Sequence, residues 1–264
     1  MENVNVMDLF RLDGKVAIVT GGSGKYGRQM VLALAQAGAN VCIASRNVEA
    51  NREYVQELEA QGLKGFAEEL DQGDQASIAA FVQRVMDRCG RIDILVNNAV
   101  WRGMKHDEDW EGFTTSMRVN AVGMSDLTMK VSKIMAKNGG GSVINIGSYM
   151  GILGGNDMLY VDTDMTQVRD FAPDYFFHKG GITNFTRLMA SKFGPEGVRF
   201  NVLELGGLFN NQPEKFVEHY SDATFLKRMA NQTDIMGCLV WLASDASAYV
   251  TGTAIPIDGG YSAK

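Results

Sequence analysis

Tyr175 and Lys179 stand four positions apart in the segment Tyr175-Phe-Phe-His-Lys179. Residues at that interval share one face of a helix, so a phenol and an ammonium can open onto the same cleft. Tyrosine ordinarily ionises near pH 10 (about 10), and a neighbouring ammonium favours the phenolate, which brings the pair closer to useful acid/base chemistry at neutral pH. The alternative is a packed tyrosine with a wet hydroxyl. A second constellation is Thr20-Gly-Gly-Ser-Gly-Lys-Tyr-Gly27, in which Gly22, Gly24 and Gly27 have the GxGxxG spacing. Such a turn lets a pyrophosphate approach the backbone while the first N–H groups of the following helix attract the anion. Gly21, Gly22, Ser23, Gly24, Lys25, Tyr26 and Gly27 are therefore the candidate phosphate contacts; an ordinary glycine loop is the alternative.

Each constellation needs a particular scaffold. Lys15–Thr20 is a β-branched run of the kind that fills a strand buried on both faces. Met30, Val31, Leu34 and Ala35 then recur at helical spacing, with Gly38 as the stop. Strand and helix signals alternate onward: strand Asn40–Ser45, helix near Val48–Gln61, strand near Lys64–Glu69, helix near Asp74–Cys89, strand Ile92–Val96, one long helix from about Asp109 to Lys137, and strand Ser142–Ile146. A helix near Pro173–Phe193, strand Val198–Leu203, an irregular helical stretch near Pro213–Met229, helix Asp234–Ala243 and strand Ala254–Ile257 follow. This alternation predicts an α/β, doubly wound (Rossmann) parallel sheet of about seven strands with helices on both faces, in a single domain spanning 1–264.

At the end of the second strand, a dinucleotide site calls for an acidic residue against the ribose hydroxyls. Here Ser45-Arg46 stands instead. A guanidinium there can pair with a 2′-phosphate and Lys25 can add charge, which favours NADP(H), with NAD(H) as the alternative. Arg46 could equally be a solvated loop charge or stack on adenine. Asp71, past the third strand, is either an adenine contact or a turn residue.

Composition narrows the class. The chain has 264 residues, 45% hydrophobic and 21% charged, enough for a sizeable core. A net charge of -6 argues against phosphate-neutralising nucleic-acid binding. Cys42, Cys89 and Cys238 lack metal-ligand spacing, so no metal is expected and a reducing, cytoplasmic setting is. No apolar run is long enough to span a bilayer, and the opening residues lack a basic start and an apolar stretch, so no membrane association or leader is expected. His106 and His178 read as solvated or core histidines.

The chain resembles the short-chain dehydrogenase/reductase family over essentially its whole length. The resemblance rests on the glycine turn after Thr20, Asn97-Asn98-Ala99 closing the fourth strand, Asn120 in the next helix, Ser148 closing the fifth, Tyr175…Lys179, and Asp258-Gly-Gly260. It implies that Tyr175 exchanges a proton with the substrate oxygen, that Ser148 hydrogen-bonds the same oxygen, that Lys179 also holds the nicotinamide ribose, and that Asn120 supports a water-linked proton path to the lysine. It also implies cofactor contacts at Asn98, Ala99, Gly206 and Leu208, and a homotetramer or homodimer packed through the two long helices. Departures exist: Lys25 replaces a common glycine, Val100 another, and Leu205 a common proline.

Tyr175 follows Ser148 by 27 positions, about twice the family's usual interval. Substrate loops are thus expected near 151–173 and 207–230, the first carrying Asp157, Tyr160, Asp162, Thr163, Asp164 and Arg169. That polar set suits a hydroxylated substrate; a mobile or subunit-contacting loop is the alternative. With Phe209–Glu214 and Arg228-Met229 the loop resembles sugar-modifying bacterial members, and Trp101, Arg102 and Lys105 suggest a hydrophilic, even acidic, small-molecule substrate. The expected activity is interconversion of a secondary alcohol and a ketone on a sugar-like or polyol compound. The rivals are a sugar nucleotide or 3-oxoacyl thioester reductase and a noncatalytic dinucleotide-binding sensor.

Overall fold

Strand β1 (Val16–Thr20) is buried along its whole length because its alternate residues feed two different cores. Ala17 and Val19 join Met30, Val31 and Leu34 of α1 (Lys25–Gln36) on one face of the sheet. Val16 and Ile18 join Phe81 and Val85 of α3 (Gln75–Cys89) on the other. A strand flanked by helices on both sides has no polar face, which is why these strands read as continuous apolar runs. The computed structural model describes residues 4–106, 108–163, 165 and 173–263.

The remaining strands are β2 (Asn40–Ser45), β3 (Gly65–Glu69), β4 (Ile94–Asn97), β5 (Gly141–Ile146), β6 (Val198–Leu205) and β7 (Ala254–Ile257), in the parallel order β3-β2-β1-β4-β5-β6-β7. Helices α1, α2 (Val48–Glu59) and α8 (Met236–Ala243) cover one face. Helices α3, α5 (Met124–Lys137) and α6 (Pro173–Phe193) cover the other. The doubly wound α/β fold is thus as expected, with seven strands. The strand order reverses between β1 and β4, which pair through Ala17↔Ile94 to Val19↔Val96. Beyond the carboxyl ends of those strands the flanking connections diverge and leave a crevice.

Two elements differ from the expectation. The single long helix is divided into α4 (Trp110–Met117), a π turn (Arg118–Gly123) and α5. Gly123 gives the reason for close packing there: a side chain at that point would run into the backbone carbonyl of Gln72. Strand β6 also runs two residues further than expected and ends at Leu205, which carries Glu204 into the sheet.

The lid side is closed by α7 (Glu214–Ala223) and by a short 3-10 turn (Asp157–Tyr160) from the long segment before α6. Tyr160 meets Phe216 of α7 at 5.3 Å between ring centroids, and Tyr149, Tyr220 and Tyr261 complete an aromatic cluster. Of the polar residues expected in that segment, Asp164 and Arg169 lie outside the described residues.

Candidate active site

The glycine turn opens directly from β1 into α1. Gly21 takes φ +65, a left-handed conformation that favours glycine. Gly27 must be glycine for another reason, since a Cβ there would overlap the carbonyl of Gly21. Gly24 caps α1 with no side-chain hydrogen bond, so the first N–H groups of the helix remain available to an anion. Thr20 secures the facing wall. Its hydroxyl accepts from the backbone N–H groups of Asn98 (3.0 Å) and Ala99 (2.9 Å), and the Asn98 side chain donates to the carbonyls of Thr20 (2.9 Å) and Gly21 (3.1 Å).

These elements border a cavity of about 630 Å³ lined by Gly21, Ser23, Gly24, Lys25, Tyr26, Gly27, Ser45, Arg46, Asp71, Asn98 and Ala99. Gly22 is the exception among the expected contacts: it stands behind the wall, where a Cβ would come within 2.9 Å of both Val31 and Ile43. Its role is to let α1 pack closely on β2. Asp71 borders the cavity, yet its Oδ1 also accepts the Gly73 N–H at 2.8 Å, so it serves the turn as well.

A second cavity, of about 340 Å³, shares Lys25, Tyr26, Asn98, Val100 and Arg102 with the first. Ser148, Tyr175, Lys179, Gly206 and Leu208 line it. The crevice is therefore continuous from glycine turn to tyrosine. Helix α6 presents Tyr175 and Lys179 from one face, with Nζ of Lys179 at 5.6 Å from the Tyr175 ring centroid. Lys179 is buried and donates to the carbonyl of Ile146 at 2.5 Å. Ser148, buried at the end of β5, hydrogen-bonds the Tyr175 side chain. The Arg102 guanidinium lies 4.0 Å over the Tyr175 ring.

Burial alone would push the Tyr175 phenol up. Lys179, Arg102 and the hydrogen bond from Ser148 outweigh it and hold the group below the ordinary tyrosine value. Burial likewise draws Lys179 down, opposed by Tyr175 and Glu204. His178, also on α6, is buried and drawn down to about 4 by desolvation and by Lys179, so it is a neutral core residue at physiological pH. Its Nδ1 lies 2.8 Å from the carbonyl of Asp174.

Asn120 uses its side chain to tie two elements of the rim together. It sits within the π turn, buried, and its amide is committed to the backbone of Trp101 through both groups: Oδ1 accepts the Trp101 N–H at 2.7 Å and Nδ2 donates to the Trp101 carbonyl at 2.9 Å. Nδ2 also donates to Ser116 Oγ at 3.0 Å, and Ser116 in turn bonds the buried Asp174 beside Tyr175. Asn120 thus holds the loop that carries Arg102. π turns gather at functional sites because the widened turn redirects one side chain.

Sequence reasoning passed over Thr20, Ser116, Asp174 and Glu204. Glu204 left the strongest signal, a carboxylate inside the apolar run Val202-Leu-Glu-Leu205. Among the described residues no group of three or more His, Cys, Asp or Glu could hold a metal, and no helix is long and apolar enough to cross a membrane.

A family model described as enoyl-(acyl carrier protein) reductase matches residues 26–262. The chain is 32% identical to a short-chain dehydrogenase/reductase of Aspergillus oryzae, covering 96% of this chain and 97% of that one. This protein belongs to the short-chain dehydrogenase/reductase family. It is 31% identical to the 2-dehydro-3-deoxy-D-gluconate 5-dehydrogenase of Escherichia coli, with 98% and 100% covered. The crystal structure of a Burkholderia cenocepacia gluconate 5-dehydrogenase with NADP and tartrate matches with a TM-score of 0.88 at 26% identity, over 98% of this chain and 100% of that one. The chain is accordingly an NAD(P)-dependent dehydrogenase/reductase that interconverts alcohols and ketones.

Proposed function

We propose that this enzyme oxidises and reduces a secondary alcohol on a sugar acid or related polyol, with NADP(H) preferred over NAD(H) and Tyr175 as its acid/base. One observation carries the reading: the Tyr175 phenol, held below its ordinary value, lies between Ser148, Lys179 and Arg102 at the inner end of the crevice that begins at the glycine turn. Gly21, Ser23, Gly24 and the open N-terminus of α1 would hold the pyrophosphate, and Lys179 the nicotinamide ribose. The nicotinamide supplies the hydride acceptor or donor.

In the oxidising direction Ser148 orients the substrate hydroxyl and the Tyr175 phenolate takes its proton as the carbinol carbon becomes a carbonyl. Lys179 stabilises the phenolate. Arg102 adds positive charge on the open side, where a substrate carboxylate can also pair with it. A sugar-acid dehydrogenase of Escherichia coli and the tartrate-bound neighbour support this substrate class. Arg46 and Lys25 border the cavity that the adenosine end would occupy, which supports the 2′-phosphate.

The same reading takes the chain as one catalytic domain that assembles as a homotetramer or homodimer. Trp110 and Phe177 are 79% and 69% exposed on α4 and α6, apolar surface of the kind that a second subunit covers. The cysteines are unpaired thiols, as suits the cytoplasm. The test is a cofactor titration followed by an oxidation screen of aldonic acids, polyols and neutral alcohols. Turnover of aldonic acids with NADP at a KM at least tenfold below that for the matching neutral polyol is expected. Preference for an apolar secondary alcohol, or binding of NAD in place of NADP, overturns it.

A further inference from the structure

Glu204 is fully buried near the end of β6, directly behind the reacting residues. Both carboxylate oxygens are occupied: Oε2 accepts the backbone N–H of Ser148 at 2.6 Å, and Oε1 accepts the Thr183 hydroxyl at 2.7 Å. Room for the carboxylate is made by Gly147, where a Cβ would overlap Oε2 and press on Val202. Two hydrogen bonds and a glycine just past the end of the neighbouring strand give this buried carboxylate what it requires to remain in place.

A buried carboxylate also needs an opposite charge within reach. Lys179 supplies it. The groups facing that ammonium are Tyr175 and His178 on its own helix, Arg102 from the rim loop and Glu204 from the sheet. Arg102 opposes the ammonium, His178 is neutral, and Tyr175 changes charge during turnover. Glu204 alone among them is a carboxylate, the counter-charge on the dry side.

We propose that Glu204 is a positioning residue for the reaction: through Oε2 it fixes the backbone turn that aims Ser148, and through its charge it keeps Lys179 an ammonium while Tyr175 passes between phenol and phenolate. Burial draws Lys179 down and holds Glu204 up, so each ion depends on the other for its ionised form. The role rests on the reading of Ser148, Tyr175 and Lys179 as the reacting set.

Two readouts separate this inference from that reading. The first follows the 15N signal of the Lys179 side-chain nitrogen against pH, assigned with Lys179→Arg, in the full chain without substrate. Glu204→Gln keeps size and an acceptor for Ser148 but removes the charge. Its Lys179 midpoint is expected about one pH unit below wild type, a tenfold change in the proton equilibrium. The second is the alkaline limb of the kcat/KM profile, expected to move down by the same amount. An unmoved nitrogen midpoint overturns the inference whatever happens to turnover. A moved midpoint beside an unmoved limb instead overturns the catalytic part assigned to Lys179. Should Glu204→Gln not fold, Thr183→Val removes only the hydroxyl donor and is expected to shift the midpoint in the same direction by a smaller amount; no shift again overturns the inference.

Discussion

The two sides of Tyr175 bring positive charge to it under opposite conditions. On the inner side Lys179 is buried, hydrogen-bonded to Ile146 and faced by Glu204. On the outer side Arg102 is exposed over the ring, carried by a loop that Asn120 pins through the Trp101 backbone. A cation in a dry wall retains its full field but must be kept ionised by its surroundings. A cation at a wet rim stays ionised unaided but is weakened by solvent and salt. The phenol is thus tuned by one strong, costly charge and one weak, adjustable charge.

Removing what both sides act upon has the largest effect. Tyr175→Phe is expected to lower kcat by about 10³-fold, within the usual range for a lost acid/base group, with NADP binding by fluorescence titration unchanged within about twofold. Loss of cofactor affinity with chemistry intact would break the comparison. Ser148→Ala comes next, lowering kcat by about 10²-fold, because one donor to the reacting oxygen is lost while the charges stay.

The wet side is sharpened by Arg102→Gln. In the oxidising direction the phenolate is the reactive form, so kcat/KM rises as pH climbs through the Tyr175 pKa. Arg102 helps to hold that pKa down, so its loss moves the acid limb to higher pH and lowers the rate below the limb by up to about tenfold. Raising salt to about 0.5 M should shift the wild-type limb part of the way in the same direction and leave that of the variant nearly unmoved. The smallest effect lies at the far end of the crevice. Arg46→Gln is expected to raise KM for NADP by about fivefold and leave that for NAD within about twofold, measured by initial rates at saturating substrate.

Much of this arrangement can be read from residue order. The buried strands declare themselves because helices on both faces leave no polar side, and β2, α6 and β7 fall at the expected limits. The glycine turn and the Tyr175–Lys179 interval place cofactor and acid/base at one end of the sheet for the same reason. The π turn is not legible, since Arg118–Gly123 keeps ordinary helical apolar spacing and the widened turn answers to a tertiary demand, the approach of Gly123 to the Gln72 backbone. Asn120 is recognisable as a site residue, but its attachment to Trp101 depends on where that turn aims it. Glu204 falls beyond the expected end of β6, because a charged residue ordinarily terminates an apolar run and only Gly147, distant in sequence, lets it continue.

That dependence on Gly147 sets the order in which this pair could have arisen. A carboxylate entering position 204 opposite any larger residue at 147 has nowhere to go, so the glycine has to come first. Once Glu204 is in place, the glycine can no longer drift, because any side chain at 147 would collide with the carboxylate. Descendants of this chain that keep Glu204 should therefore keep Gly147 as well.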